Sequence, residues 1–102
     1  MVPGSSDLEH VVAAPARLVR PASDEFRRAG LALLQALSSG EGRLVLDLSG
    51  TEDADSVGIA ALITLRRQAR GTGVRVVLRG VRPAFRELLR MARLEAQFEI
   101  EP

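Results

Sequence analysis

A serine at the start of an apolar helix is the residue of this sequence best placed to do chemistry. Ser56 follows an acidic loop that carries Glu52, Asp53 and Asp55, and it precedes residues 57–65, which bear no charge. A hydroxyl there can accept a phosphate, which places about −1.5 to −2 charges beside an apolar surface. It can also cap the helix by accepting a hydrogen bond from a backbone amide. The sequence leaves both roles open for Ser56.

The helix that follows the acidic loop, predicted over residues 56–70, is apolar on more than one side. Ile59, Leu62 and Ile63 form one stripe at helical spacing, and Ala60 and Leu65 extend the apolar surface around the helix. In a small domain such a helix is either enclosed by the protein itself or contacts a second molecule with the side that does not face the sheet. We expect the second arrangement, and therefore a binding surface that a charge on Ser56 could switch.

Strands and helices alternate along the rest of the chain. The pattern predicts strands near residues 8–13, 44–48, 74–78 and 98–100, and helices that begin near residues 21–25, 56 and 83. Parallel neighbouring strands need a crossover of helix length, so this order predicts a layered α/β domain that contains parallel strands. We expect residues 1–102 to form a single domain in which residues 1–7 are a flexible amino-terminal segment.

Two further residues each have a structural and a functional interpretation. Asp47 lies in an apolar strand, where a buried carboxylate needs a loop amide or an arginine as its partner. Gly58 permits a close backbone contact, either within the domain or with a partner protein, and we favour close packing of the helix within the domain.

The composition excludes several classes of enzyme. Cysteine and lysine are both absent, which rules out disulfides, thiolate chemistry, Schiff bases and the lysine of a nucleotide-binding loop. The single histidine, His10, is close to the amino-terminal segment, a poor position for a catalytic base. Tryptophan and tyrosine, which line sugar sites, are missing. We expect no catalysis, no cofactor and no metal, and we interpret the loop carboxylates as solvated rather than as a magnesium site.

Positive charge is concentrated in one stretch of the sequence. Residues 66–93 contain nine arginines and a single acid, Glu87. This stretch is either a surface for an anionic partner or a solvated face, and we favour the solvated face. Phe85 is the only aromatic residue among these arginines, so we expect no direct binding of nucleic acid. The longest apolar run is about half of the ~20 residues that span a membrane, and we expect a cytoplasmic protein without membrane insertion.

Two motifs resemble the signature of STAS domains, the fold of anti-sigma factor antagonists and of sulfate-transporter tails. They are Leu-Val-Leu-Asp-Leu-Ser-Gly at residues 44–50 and Asp-Ser-Val-Gly-Ile at residues 55–59. The resemblance extends over most of the chain from residue 15 onward. It implies an α/β fold of the STAS type, with a single layer of mixed, partly parallel β-sheet packed with α-helices. In the antagonists an anti-sigma kinase phosphorylates the serine after the aspartate, which corresponds to Ser56.

The resemblance also implies a protein partner, an anti-sigma factor or serine kinase, for a domain that is monomeric when free. We expect this partner to contact the acidic loop and the first turn of the following helix, where the predicted binding residues are Glu52, Asp53, Asp55, Ser56, Val57, Gly58 and Ile59.

The sequence departs from the antagonist pattern in ways that suit a second interpretation. Val57 replaces the second serine of the motif, and Val19 follows Leu18 where the family often has an aspartate. The amino-terminal hairpin is also shortened. These features favour a constitutive contact, such as that of a small STAS subunit docked on the ATPase of an ABC-type phospholipid transporter.

Overall fold

The computed structural model describes residues 9–37 and 42–102 of the chain. The flexible segment predicted for residues 1–7 lies outside the described residues, and so does the predicted closure of the first helix at residues 38–40.

The predicted strands and helices are present, and two further strands of two residues each, at residues 17–18 and 53–54, were not predicted. The strands are β1 (Glu9–Ala13), β2 (Arg17–Leu18), β3 (Arg43–Asp47), β4 (Asp53–Ala54), β5 (Arg75–Arg79) and β6 (Glu99–Ile100). The helices are α1 (Ala22–Ala36), α2 (Ser56–Ala69) and α3 (Pro83–Met91), and a 3₁₀ turn spans Glu95–Gln97. The predicted strands at residues 44–48 and 74–78 therefore shift by one residue each, and α2 begins at the predicted residue.

The strands that the structure describes form a sheet in the order β1-β3-β5-β6, in which each neighbouring pair is parallel. The two-residue strands β2 and β4 pair with each other, also in parallel, apart from the larger sheet. The predicted layered α/β architecture with parallel strands is confirmed. Because β2 and β4 run in the same direction, the helices α1 and α2 that follow them also start at the same end of the domain.

One face of the sheet packs against the helices. Leu44 and Leu46 of β3 and Leu78 of β5 are fully buried in the same core cluster as Leu62 of α2 and Phe85 of α3. These strand residues alternate with residues that point the other way, as the two-residue period of a strand requires. Packing against this core thus holds α2 on the sheet and fixes the position of its first turn.

The opposite face of the sheet is covered by a network of ion pairs. Arg79 Nη2 lies 2.8 Å from each carboxylate oxygen of Glu9, and Arg79 Nε lies 2.8 Å from Glu101 Oε1. The Arg79–Glu9 pair joins β5 to β1 and so crosses β3, where Val45 is 0% exposed. Long side chains with charged ends can cover apolar surface in this way.

The ion pairs also neutralise much of the basic stretch. Four of its arginines form salt bridges, with acids that mostly come from other parts of the chain: Arg75 with Glu99, Arg79 with Glu9 and Glu101, Arg86 with Glu95, and Arg90 with Glu87. The positive charge seen in the sequence is therefore much reduced on the folded surface.

This network makes the stability of the fold sensitive to acid. The hydrogen bond from Arg79 holds the pKa of Glu101 below its ordinary value of 4.5. A carboxyl whose folded pKa is lowered stabilises the fold above its ordinary pKa, and this contribution is lost as the pH falls through the lowered value. We expect the free energy of unfolding of the wild type to fall more steeply between about pH 5 and pH 2 than that of Glu101→Gln.

Urea unfolding of the two proteins across that range measures this difference. Glu52→Gln is the matched control, because Glu52 has no ion pair among residues 9–37 and 42–102, and it should keep the wild-type slope. Equal slopes for wild type and Glu101→Gln would contradict the role given to the network.

Candidate functional site

Ser56 is the first residue of α2, and its side chain is exposed. The residue that caps the helix is Asp55, whose Oδ1 accepts a hydrogen bond of 2.8 Å from the backbone amide of Gly58. The interpretation of Ser56 as the N-cap is therefore wrong. Within the described part of the chain the Ser56 hydroxyl has no hydrogen-bond partner. It is left free for a role outside the fold.

We expect the Asp55 cap to contribute measurably to the free energy of unfolding. Replacing Asp55 by alanine removes the acceptor for the Gly58 amide, and should lower the free energy of unfolding by about 1 kcal/mol. Asp55→Asn keeps an acceptor at the same position and should keep most of this stability. Chemical denaturation of both variants checks the assignment, which fails if the asparagine variant is as unstable as the alanine variant.

The acidic loop before Ser56 is tied to the chain segment that precedes α1. The buried Thr51 donates its hydroxyl to the Pro15 carbonyl at 2.9 Å, and the Glu52 amide donates to the Ala16 carbonyl at 2.8 Å. Asp53 pairs with Arg17 at 3.4 Å on the surface. These contacts fix the backbone of the loop, while the side chains of Glu52, Asp53 and Asp55 remain exposed.

Gly58 occupies the closest contact between α2 and the rest of the domain. A Cβ atom at this position would lie 1.9 Å from the carbonyl oxygen of Leu18 in β2. The favoured interpretation, close packing within the domain, is confirmed. Gly58 is buried, so any part that it plays in binding comes through the position that it gives to the helix.

The first two turns of α2 present mainly small side chains to solvent. Ser56 and Ala60 are exposed, and Val57, Ile59 and Ile63 are half-buried. Large exposed apolar side chains in the described residues are Val11 and Met91, both away from this helix. The side of α2 next to Ser56 is thus uncharged, and little of its apolar area is exposed.

A groove runs along this surface between α1 and α2. Its lining combines Arg20, Asp24 and Arg27 from the α1 side with residues of α2, namely Val57, Ala60, Ala61 and Thr64, around a volume of about 140 Å³. The two arginines share Asp24 at long distances, 3.6 Å from Arg20 Nε and 3.8 Å from Arg27 Nη2. The groove therefore carries two arginines on the α1 side, opposite Ala60, which is one helical turn from Ser56 on α2.

Asp47 serves the loop rather than the site. Its Oδ1 accepts a hydrogen bond of 2.9 Å from the Ser49 amide, which lowers the pKa of the carboxyl. The prediction that a loop amide satisfies Asp47 is confirmed. The bond fixes the turn where β3 ends and the chain heads toward the acidic loop.

Comparison with known families gives a match over nearly the whole chain. Residues 4–101 match the family model described as Mlab, STAS domain. This chain belongs to the STAS domain family. The family includes anti-sigma antagonists and the STAS domains of transporters, and its members mediate protein–protein interaction and are generally non-catalytic. The STAS-type fold class predicted from the motifs is confirmed.

A solved structure shares the fold of this STAS domain. It is the crystal structure of a sulfate transporter family protein from Wolinella succinogenes, with a TM-score of 0.75 and 12% sequence identity. The similarity covers 90% of this chain and 75% of that chain. Comparison with curated proteins found no match.

Two features of the described residues concern membrane insertion and metal binding by the STAS domain. No helix in that part is long and apolar enough to cross a membrane. In the same part, no group of three or more histidine or acidic side chains is arranged to hold a metal ion. Asp53 and Asp55 are instead engaged, by Arg17 and by the Gly58 amide.

The arginines of the groove are the site residues that sequence reasoning missed. Asp24 and Arg27 stand three residues apart, the spacing of one helix face, which is a signal visible in the sequence, whereas Arg20 precedes α1. Nothing in that spacing says which helix lies opposite. Only the side-by-side packing of α1 and α2 connects these residues with the helix that begins at Ser56.

Proposed function

We propose that this STAS domain is a non-catalytic regulatory module that binds an ATP-binding protein, of the anti-sigma factor type, and that phosphorylation of Ser56 switches the binding. The observation that carries the proposal is the exposed Ser56 hydroxyl, which the fold does not use because Asp55 caps the helix. A serine with no structural task at the edge of an uncharged helix face is suited to carry a regulatory charge.

The proposed contact surface combines the acidic loop with the start of α2. It comprises the predicted residues Glu52, Asp53, Asp55, Ser56, Val57 and Ile59, joined by the exposed Ala60, with Gly58 holding the helix in position. The partner would meet carboxylates on the loop side and small apolar groups on the helix side. We further propose that the free domain is monomeric and cytoplasmic and binds no nucleic acid.

The energetic balance favours a switch that acts on binding rather than on folding. A phosphate on Ser56 would gain about 0.3–1 kcal/mol from the amides at the start of α2. The exposed Asp53 and Asp55 would oppose it by up to about 1 kcal/mol each if within ~4 Å in water, and by less when screened by salt. These contributions nearly cancel in the free domain. At an interface the same phosphate must be desolvated, and a penalty of only about 3 kcal/mol weakens binding roughly a hundredfold.

The modification itself would be carried out by the partner or by a separate kinase. The Ser56 oxygen forms a bond to the γ-phosphorus of ATP, the bond from that phosphorus to the β-phosphate bridging oxygen breaks, and ADP leaves. The hydroxyl proton passes to a base of the kinase.

Phosphosite mapping tests the proposal directly. The purified domain is incubated with ATP and the ATP-binding protein that binds it, and the products are mapped by mass spectrometry. Phosphate on Ser56 in the wild type, and none on Ser56→Ala, is the expected result. Modification confined to other residues would contradict the proposal.

A second function is favoured by the description of the matching family model, Mlab, and by the departures at Val19 and Val57. In this alternative the domain is a small STAS subunit that docks permanently on the ATPase of an ABC-type phospholipid transporter. Ser56→Ala should retain binding under either function, and in this alternative the protein that co-purifies should be a transporter ATPase rather than a kinase. The two functions thus differ in the identity of the bound ATP-binding protein.

A further inference from the structure

The groove between α1 and α2 carries charged side chains that are not part of the proposed contact surface. Arg20 and Arg27 line one wall, and only Asp24 among the groove residues carries negative charge. At 3.6 and 3.8 Å, the pairs that Asp24 makes with the two arginines are longer than good charge-assisted hydrogen bonds. Arg20 is 70% exposed. Its guanidinium is therefore available to a second anion.

The packing of the helices relates the position of this arginine to that of Ser56. The carbonyl of Leu18, two residues before Arg20, contacts Gly58, two residues after Ser56. Farther along, Gly30 of α1 faces Leu65 of α2, so the two helices run side by side in the same direction. Ser56 and the groove residue Ala60 are one turn apart on α2, a rise of about 6 Å. Arg20 and Ser56 consequently lie toward the same end of the α1–α2 pair, and Ser56 directly precedes the groove residue Val57.

We propose that the groove between α1 and α2 is a binding site for a phosphate monoester carried by Ser56, with Arg20 as the main partner of the phosphate. This inference rests on the proposed phosphorylation of Ser56 and adds the way in which the modified side chain is held. Arginine is suited to the task because its planar guanidinium donates two parallel hydrogen bonds to a phosphate. Arg27 lies farther along the groove and contributes mainly through its charge.

For regulation, this means that the phosphate occupies the groove in addition to making contact with the partner less favourable. Once Arg20 turns to the phosphate, the dianion lies over Val57 and Ala60 and covers the uncharged surface beside them. The charges around it are Asp53, Asp55 and Glu52 from the loop, Arg17 from β2, and Arg20, Asp24 and Arg27 from the α1 side. The positive charges on that side make the groove the most favourable direction for the phosphate.

The titration of the phosphate tests the site without any partner protein. The full chain is prepared with phosphoserine at position 56, and ³¹P NMR follows the second ionisation of the phosphate, whose ordinary pKa is about 6. Removing a nearby positive charge by Arg20→Gln should raise this pKa by about 0.5. Arg27→Gln should raise it less.

Arg67→Gln is the matched control, because Arg67 is an exposed arginine eleven residues beyond Ser56 on α2, about 16 Å away and outside the screening length of physiological salt. It should leave the pKa of the phosphate unchanged. Equal pKa values for the parent and Arg20→Gln, or equal changes for Arg20→Gln and Arg67→Gln, would overturn the site.

The two proposals fail separately. The phosphate is installed in this experiment without a kinase, so its titration reports the groove even if no kinase modifies Ser56. Conversely, if Arg20→Gln left the pKa of the phosphate unchanged, phosphorylation would still be expected to weaken partner binding. That loss of binding needs only the added charge. Arg20 is exposed, so Arg20→Gln should unfold at the wild-type temperature, which excludes a folding defect as the cause of a changed pKa.

Discussion

Gly58→Ala is expected to destabilise the domain by about 3 kcal/mol, a larger effect than any other single change considered for this chain. The added Cβ would lie 1.9 Å from the carbonyl oxygen of Leu18 and 3.0 Å from its carbonyl carbon. Both atoms belong to the backbone, so no side-chain rotation relieves the contact. The helix must move away from β2, which opens the core around the fully buried Leu18 and Leu62.

Gly50→Ala provides the matched comparison. A Cβ at Gly50 meets nothing within 4 Å, and this glycine is in the loop that precedes the same helix. Its free energy of unfolding should stay within about 0.5 kcal/mol of the wild type. Urea denaturation of the two variants measures the difference. If Gly58→Ala were as stable as Gly50→Ala, α2 could shift freely on β2, and the geometry of the site would not be fixed by this contact.

The sequence predicted the three helices and the four strands of the larger sheet because each depends on local chemistry, but it did not predict the two-residue strands β2 and β4. The strands β3 and β5 are short runs of leucine and valine, and α3 begins at Pro83, which is favoured in the first turn of a helix. The start of α2 was also correct. The identity of its cap was left open, because aspartate and serine both cap helices and adjacent residues compete for the position. Asp55 adopts the extended backbone of a cap, which no sequence pattern distinguishes here.

Features that depend on tertiary packing could not be predicted. The pair of Glu9 with Arg79 joins residues 70 positions apart, and it forms because β1 and β5 both flank β3. The sequence shows how many charges the chain carries but not which of them meet. The same holds for the groove, because Arg20 comes near Ser56 only through the contact of Leu18 with Gly58. Long-range geometry therefore decides both the neutralisation of the basic stretch and the surroundings of the candidate site.

Ser56→Asp is expected to weaken binding of the ATP-binding partner at least about tenfold, and phosphoserine at the same position about a hundredfold. The aspartate carries one negative charge, against about 1.5 to 2 for a phosphate, and it places this charge between the loop carboxylates and the uncharged side of α2. Desolvation of the charge on binding is the cause of the loss. In the free domain the side chain of residue 56 is exposed, so the free energy of unfolding should change by less than about 0.5 kcal/mol. Titration calorimetry with the purified partner, together with urea denaturation, measures both quantities.

Two control variants separate this mechanism from a general effect of charge. Gln68→Asp adds the same charge to an exposed position of the same helix, about 18 Å farther along, and should bind the partner as the wild type does. Ser56→Ala removes the hydroxyl without adding charge and should retain binding, because the hydroxyl has no partner within the described residues that its loss would disturb. An equal loss of binding for Ser56→Asp and Gln68→Asp would show that the partner senses total charge. Unchanged binding by Ser56→Asp and by the phosphoserine form would place the contact elsewhere on the domain. A loss of binding confined to position 56 requires that the partner covers the start of α2, because only there does the negative charge have to leave water.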